Sequence, residues 1–145
     1  MATTATVTLN SDISPGFGGI TKTMTLTNAG TNNDITETTG FSRRKLAATS
    51  AVDLITMANE LVEPKDNTAA KVYIKNIGNN GTFDKSQYVT ISIGDTGGTT
   101  QEIGRLYGGD WLFMPVTVVD DMDIVAAPST NDAVVLEYTM FFEEN

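Results

Sequence analysis

KVYIKNIGNNGTFDKSQYVTISIG, residues 71–94, sets the fold class. KVYIKNIG and QYVTISIG are short runs rich in β-branched and aromatic residues. The joining NNGTFDKS carries Gly, Asn, Asp and Ser, which favour turns. Two strands and a connection are the reading. The same grammar continues downstream with TTQEIGRLY (99–107), DWLFMPVTV (110–118), MDIVAAP (122–128) and the long AVVLEYTMFFE (133–143), each set off by Gly- or Asp-rich turns. That spacing is expected of an antiparallel β-sandwich or jelly-roll-like domain.

Upstream of residue 70 the pattern is mixed. In GITKTMTLTNAG, Ile20, Met24 and Leu26 share one side with Lys22, and Thr21, Thr23, Thr25 and Thr27 share the other. TATVTL alternates likewise, with Val7 and Leu9 in phase, so the two runs could pair as a hairpin around the turn-forming SDISPGFGG. NAGTNNDITETTG (28–40) is polar, which suggests a loop or a flexible connection. Residues 1–35 are therefore expected to form an N-terminal arm or hairpin, and 36–145 the sandwich body. AVDLITMANELV fits a partial helical stripe through Val52, Ile55, Asn59 and Val62. It also fits a strand with Val52, Leu54 and Thr56 in phase, and the strand, running through Met57 and followed by a loop through 64–67, is preferred.

Composition agrees with an all-β chain of one-domain size. Among 145 residues there are 23 Thr and 13 Gly, the first suited to strands and the second to turns. There is no His and no Cys, which removes the commonest general base and metal ligand, thiolate nucleophiles, zinc–thiolate sites and disulfides. The net charge is −9, and the last forty residues hold eight acids and no base, so no nucleic acid partner is expected. Arg43-Arg44-Lys45 is the only basic cluster and reads as a charged edge or interface. MATTATVTLN lacks the features of a signal peptide, and WLFMPVTVV is far shorter than the ~20 residues of a membrane helix, so neither export signal nor membrane partner is expected.

Three stretches invite chemical readings. Asp95-Thr96-Gly97 is the tripeptide of aspartic proteases, but Gly94 and Gly98 flank it where that motif has an apolar residue and Ala or Ser, and EIGRL follows too closely to be the second motif. A turn between strands is the simpler reading, with no catalytic residue. The same glycines lack the Lys-Ser/Thr and helix of a phosphate-binding loop. Asp120, Asp121 and Asp123 could suit a hard cation, yet lack the EF-hand pattern and read as a solvated acidic turn; neither cofactor nor metal is expected.

GRLYGGDWLFMPV (104–116) is apolar in both phases: Trp111, Phe113 and Pro115 alternate with Leu112, Met114 and Val116. Such a strand is expected to be covered on both sides, by the chain itself or by a neighbouring subunit. In EYTMFF, Tyr138, Met140 and Phe142 lie opposite Thr139 and Phe141. The candidate interface residues are Trp111, Phe113, Met114, Tyr138, Phe141, Phe142, Arg43 and Arg44.

The run KVYIKNIG…YVTISIGD…GRLYGGDWLFMPV…DIVAAPST…VVLEYTMFFEE resembles small structural proteins of tailed bacteriophages, especially phages of marine cyanobacteria. The resemblance covers residues 70–143, and 20–57 more loosely. It implies a β-sandwich virion component without catalytic residues. The expected role is a decoration or cement protein on the capsid surface, a trimer whose partners are the major capsid protein and its own copies. Alternatives are a tail, neck or head-fibre component, and a carbohydrate-binding sandwich using Tyr107 and Trp111 beside Gly108-Gly109.

Overall fold

The computed structural model describes residues 3–10, 19–27, 35, 37–57, 69–79, 82 and 84–143. The turn expected at 11–18, the connection at 28–34 and the loop at 64–67 lie outside the described residues. All regular structure described is β, and every strand pairing is antiparallel. The chain divides into two compact units, Met1–Ile35 and Thr36–Asn145.

The first unit contains a hairpin of β1 (Thr4–Leu9) and β2 (Ile20–Thr25). Its register places Thr4, Thr6 and Thr8 opposite Thr25, Thr23 and Thr21, with hydroxyl–hydroxyl bonds of 2.8 Å for Thr6–Thr23 and 3.3 Å for Thr8–Thr21. The other side of the ribbon holds Ala5, Val7 and Leu9 against Met24, Lys22 and Ile20. Leu9, Ile20 and Met24 are exposed, so this apolar side is largely open to water. A lone two-stranded ribbon is only marginally stable.

The second unit is a sandwich of two sheets. β3 (Glu37–Thr38), β4 (Ser42–Leu46), β6 (Ala69–Asn76), β9 (Trp111–Thr117) and β11 (Val134–Phe142) form one. β5 (Val52–Ile55), β7 (Tyr88–Gly94), β8 (Thr100–Tyr107) and β10 (Ile124–Pro128) form the other. Strand orders β4-β11-β6-β9 and β5-β10-β7-β8 mean that β4 to β7 pair with β11 to β8 in reverse sequence. One long hairpin rolled up on itself gives this order, which is that of an eight-stranded jelly roll.

Period two then decides which residues fill the space between the sheets. Ala70, Val72 and Ile74 of β6, Leu136, Met140 and Phe142 of β11, Val89 and Ile91 of β7, and Ile124 and Ala126 of β10 are buried together. Each of these side chains larger than Ala contributes about 1.5–3 kcal/mol on leaving water. The central strands β6, β7, β10 and β11 carry most of this core, whereas β8, at an edge, is exposed at most positions.

One buried polar group links the sheets. Asn76, at the end of β6, is 1% exposed; its Nδ2 donates to the Leu106 carbonyl (3.0 Å) and its Oδ1 accepts the Gly78 N–H (2.9 Å). Its backbone N–H donates to the Asp110 carbonyl, and its carbonyl accepts the Gly109 N–H. The chain crosses from β8 to β9, one sheet to the other, at that point. The crossing places Trp111 opposite Lys75.

Of the two kinds of cover expected for β9, the chain itself supplies only one side. Val116 is buried and Leu112 and Met114 pack against the core, while Trp111 is 48% exposed and Pro115 is exposed. Phe142 corrects an expectation. It is 1% exposed inside the core, because β11 turns residues 136, 140 and 142 inward, so it offers no surface to a neighbour.

Candidate interaction face

Antiparallel register aligns the outward residues of the five-stranded sheet into rows. One row runs Arg43, Glu137, Lys75, Trp111. The next carries Thr139, Tyr73 and Phe113, and a third carries Thr38, Phe141, Lys71 and Pro115. The result is an aromatic surface interleaved with cations.

Phe41 joins this surface through a break in the sheet edge. β3 and β4 both pair with β11, and the gap between them is stitched by the Thr39 N–H donating to the Met140 carbonyl (3.0 Å) and the Met140 N–H donating to Thr39 Oγ1 (3.0 Å). Gly40 then adopts φ +69°, a left-handed conformation that side chains resist, and the chain turns into β4. Phe41 is left 71% exposed, its ring edge-on to Tyr73 (centroids 5.9 Å, planes at 76°). Tyr73 in turn meets Trp111 at 6.4 Å, tilted by 36°.

The charges on this face are partly tied down. Both Nε and Nη2 of Arg43 donate to Glu137 Oε2, at 3.0 and 2.9 Å. Burial raises the Tyr73 phenol above its ordinary pKa, and the Glu137 carboxylate adds to the rise. Burial lowers the Lys71 ammonium, whose stem lies between Phe141 and Pro115 in the register.

The eight interface residues expected from sequence divide. Trp111, Phe113, Phe141 and Arg43 share this outer face. Met114, Tyr138 and Phe142 turn toward the core. Arg44 leaves the face as well: its Nη1 donates to the Asp53 carbonyl (2.5 Å), and it lines a cleft of about 500 Å³ between β4 and β5, floored by Tyr138, Met140 and Phe142. Phe41 and Tyr73 were not singled out in the sequence. Tyr73 carried a signal: it sits in phase with Lys71 and Lys75, an aromatic on what should be the polar side of a strand.

Tyr107 and Trp111 do not converge. Tyr107 pairs with Tyr88 on the four-stranded sheet (centroids 5.4 Å), where Arg105 lies 4.7 Å from the Tyr88 ring centre, whereas Trp111 belongs to the five-stranded sheet. Sugar platforms present rings flat to a ligand. The Phe41–Tyr73–Trp111 rings are set edge-on and tilted to one another.

The Asp-Thr-Gly stretch forms the β7–β8 turn. Asp95 Oδ1 accepts the Gly97 N–H (2.9 Å), the Asp95 carbonyl accepts the Gly98 N–H (3.0 Å), and the Thr96 hydroxyl donates to Asp53 Oδ2 (3.0 Å). The glycine before it is sterically required. Gly94 has φ +136°, and a Cβ there would lie 2.3 Å from the Thr99 carbonyl oxygen.

Four carboxylates gather beside that turn. The Asp123 carboxyl is raised above its ordinary pKa, first by burial and then by the negative charges of Asp53, Asp95 and Asp121; the Met57 N–H, bonded to Asp123 Oδ1 at 2.8 Å, opposes the rise. Asp53 Oδ1 is buried and has no hydrogen-bond partner among the described residues. Among those residues no group of acidic side chains is arranged to hold a metal ion. A raised carboxyl pKa contributes stability that is complete below the unfolded value and lost as pH rises through the folded value. Asp123→Asn, which keeps an acceptor for Met57, is therefore expected to raise the melting temperature at pH 7 and to leave it nearly unchanged at pH 3. Equal effects at the two pH values would remove the electrostatic explanation.

Comparisons with known proteins are sparse. No family model and no curated protein matches the chain. Among solved structures, a chain described under "Bacillus endospore appendages form a novel family of disulfide-linked pili" is similar over 75% of this chain and 93% of that one, at 20% identity and a TM-score of 0.38.

Proposed function

We propose that the chain is a structural subunit of a virion exterior, a decoration or cement protein that binds capsomers and its own copies. The observation that carries the reading is the outer face of the five-stranded sheet. It exposes Phe41 and Trp111 beside Tyr73, Phe113, Phe141 and Arg43, the residue types that dominate protein interfaces, on a chain whose surface is otherwise acidic. The phage-head placement follows the resemblance of residues 70–143, and jelly rolls are common in capsid proteins, an analogy of fold alone. The rings lean on one another rather than lying flat, which favours a protein partner over a sugar. In this reading the chain performs no chemistry, and the face needs no cofactor.

The test is the copy number of the chain in purified particles. Hundreds of copies per particle fit decoration. A dozen or fewer would move the chain to a neck, tail or head fibre, and absence from particles would end the reading.

Two further outcomes follow. Removing residues 1–30 is expected to leave a folded body, because the core cluster lies wholly within residues 46–142, yet one that binds shells poorly, since the hairpin's open apolar side is lost. Circular dichroism and co-sedimentation with shells read the two effects separately; a truncated chain that does not fold would make the hairpin part of the body's core. Asp95→Asn retains the oxygen that accepts the Gly97 N–H and is expected to leave the fold unchanged. Loss of a proteolytic activity in that variant would reinstate a catalytic Asp95.

A further inference from the structure

We propose that the cationic aromatic face receives the carboxylate cluster of a second copy, a head-to-tail contact in which each chain offers its face to one neighbour and its carboxylates to another. The inference deepens the reading of the chain as an assembly subunit and rests on it. Its ground is charge complementarity. Residues 36–145 carry sixteen acids and eight bases. Three of those bases, Arg43, Lys45 and Lys75, stand exposed or half-buried in the outward register of one sheet, Arg43 paired with Glu137, while Lys71 shares the register but is buried.

The opposite charge collects elsewhere on the same unit. Asp53, Asp95 and Asp123 meet at the β7–β8 turn, where the Thr96 hydroxyl donates to Asp53 Oδ2 and the Gly94 N–H to the Asp123 carbonyl; Asp53, Asp95 and Asp121 bear on the Asp123 carboxyl with their negative charges, and exposed Asp120 adjoins them. None of them makes an ion pair among the described residues, and Asp53 Oδ1 is buried without a hydrogen bond. The nearby guanidinium of Arg44 is spent on the Asp53 backbone carbonyl. A cation brought by a neighbour would relieve this repulsion, and the basic face of an identical chain is a source always present at equal concentration.

Pairing two copies face to face is disfavoured by the same charges, since both surfaces would carry Lys45 and Lys75. Face and carboxylates share no residue, so one chain can use both at once. Such a contact is heterologous and closes into a ring when the rotation allows; three copies is one such closure.

The experiment uses the full chain with two charge variants, each checked for its β signal by circular dichroism. Lys45→Glu/Lys75→Glu reverses the face, and Asp120→Lys/Asp121→Lys reverses the acidic end. The wild-type chain is expected to associate at low salt, and to do so about tenfold more weakly when NaCl rises from about 50 to about 500 mM. Each variant alone should remain monomeric by sedimentation velocity, and an equimolar mixture should form species larger than a dimer. Asp120→Asn/Asp121→Asn, which adds no bulk, should weaken association as well. A mixture that stops at dimers would show face-to-face pairing and overturn the proposal; so would variants that associate like wild type, or association abolished by removing residues 1–30 but indifferent to charge. A chain that is monomeric at every salt concentration yet binds purified shells through Trp111 would overturn this contact and leave the decoration reading standing.

Discussion

Trp111→Ala is expected to leave the isolated chain folded while weakening assembly by about 2 kcal/mol or more, roughly thirtyfold. The side chain is 48% exposed and projects from the outer face of β9, so truncation removes little buried area and costs the fold about 1 kcal/mol. Its weight lies in what covers it. A Trp beside Tyr73 at 6.4 Å, with Phe113 on the same strand face, has the make-up of an interface hot spot. Phe142→Ala is the control, since a ring inside the core costs about 3–5 kcal/mol when truncated. Light scattering reads association and circular dichroism reads the fold. A Trp111→Ala chain that loses its β signal on its own would assign the indole to the core.

Asn76→Ala is expected to destabilise the body by about 2–4 kcal/mol, a large share of the stability of a domain this size. The side chain bonds both the Leu106 carbonyl and the Gly78 N–H, and its removal leaves the Gly78 donor without that partner and empties a buried site between the sheets. The loss should spread to the face, because the backbone of Asn76 also holds Gly109 and Asp110, which set the start of β9 and the position of Trp111. Urea denaturation measures the first effect, and near-ultraviolet circular dichroism of the single Trp the second. A cost below about 1 kcal/mol would mean that water replaces the amide.

Much of the body was legible because its strands alternate cleanly. TTQEIGRLY, DWLFMPVTV, MDIVAAP and AVVLEYTMFFE became β8 to β11, and the antiparallel sandwich followed from their spacing. The strand preferred for residues 52–57 became β5, Val52–Ile55. The two sides of DWLFMPVTV were the difficulty. Both phases are apolar, and only the register against β6 shows that Leu112, Met114 and Val116 face the core while Trp111, Phe113 and Pro115 face out. EYTMFF posed the same problem: adjacent Phe141 and Phe142 must point to opposite sides, and local sequence does not say which is inside. Phe41 was illegible for another reason. Its exposure comes from the bend at Gly40 and the stitch of Thr39 to Met140, a pairing across a hundred residues of chain. The Glu37–Thr38 strand, inside a segment that reads as loop, arises from that same long-range pairing.

The rolled-hairpin order has a consequence for biosynthesis. β11, which follows every other described strand in the chain, is an interior strand, hydrogen-bonded to β4 and β3 on one side and β6 on the other. Its Leu136, Met140 and Phe142 fill the middle of the core. A ribosome that has delivered everything up to residue 130 has therefore produced a five-stranded sheet with its centre missing, its apolar edges unpaired and its neighbours strangers to one another. The body cannot close until β11 has joined it. Its folding should be slow for its size, in the range of milliseconds to seconds typical of chains whose contacts join distant residues, and the unfinished chain is the species on which a chaperone would act.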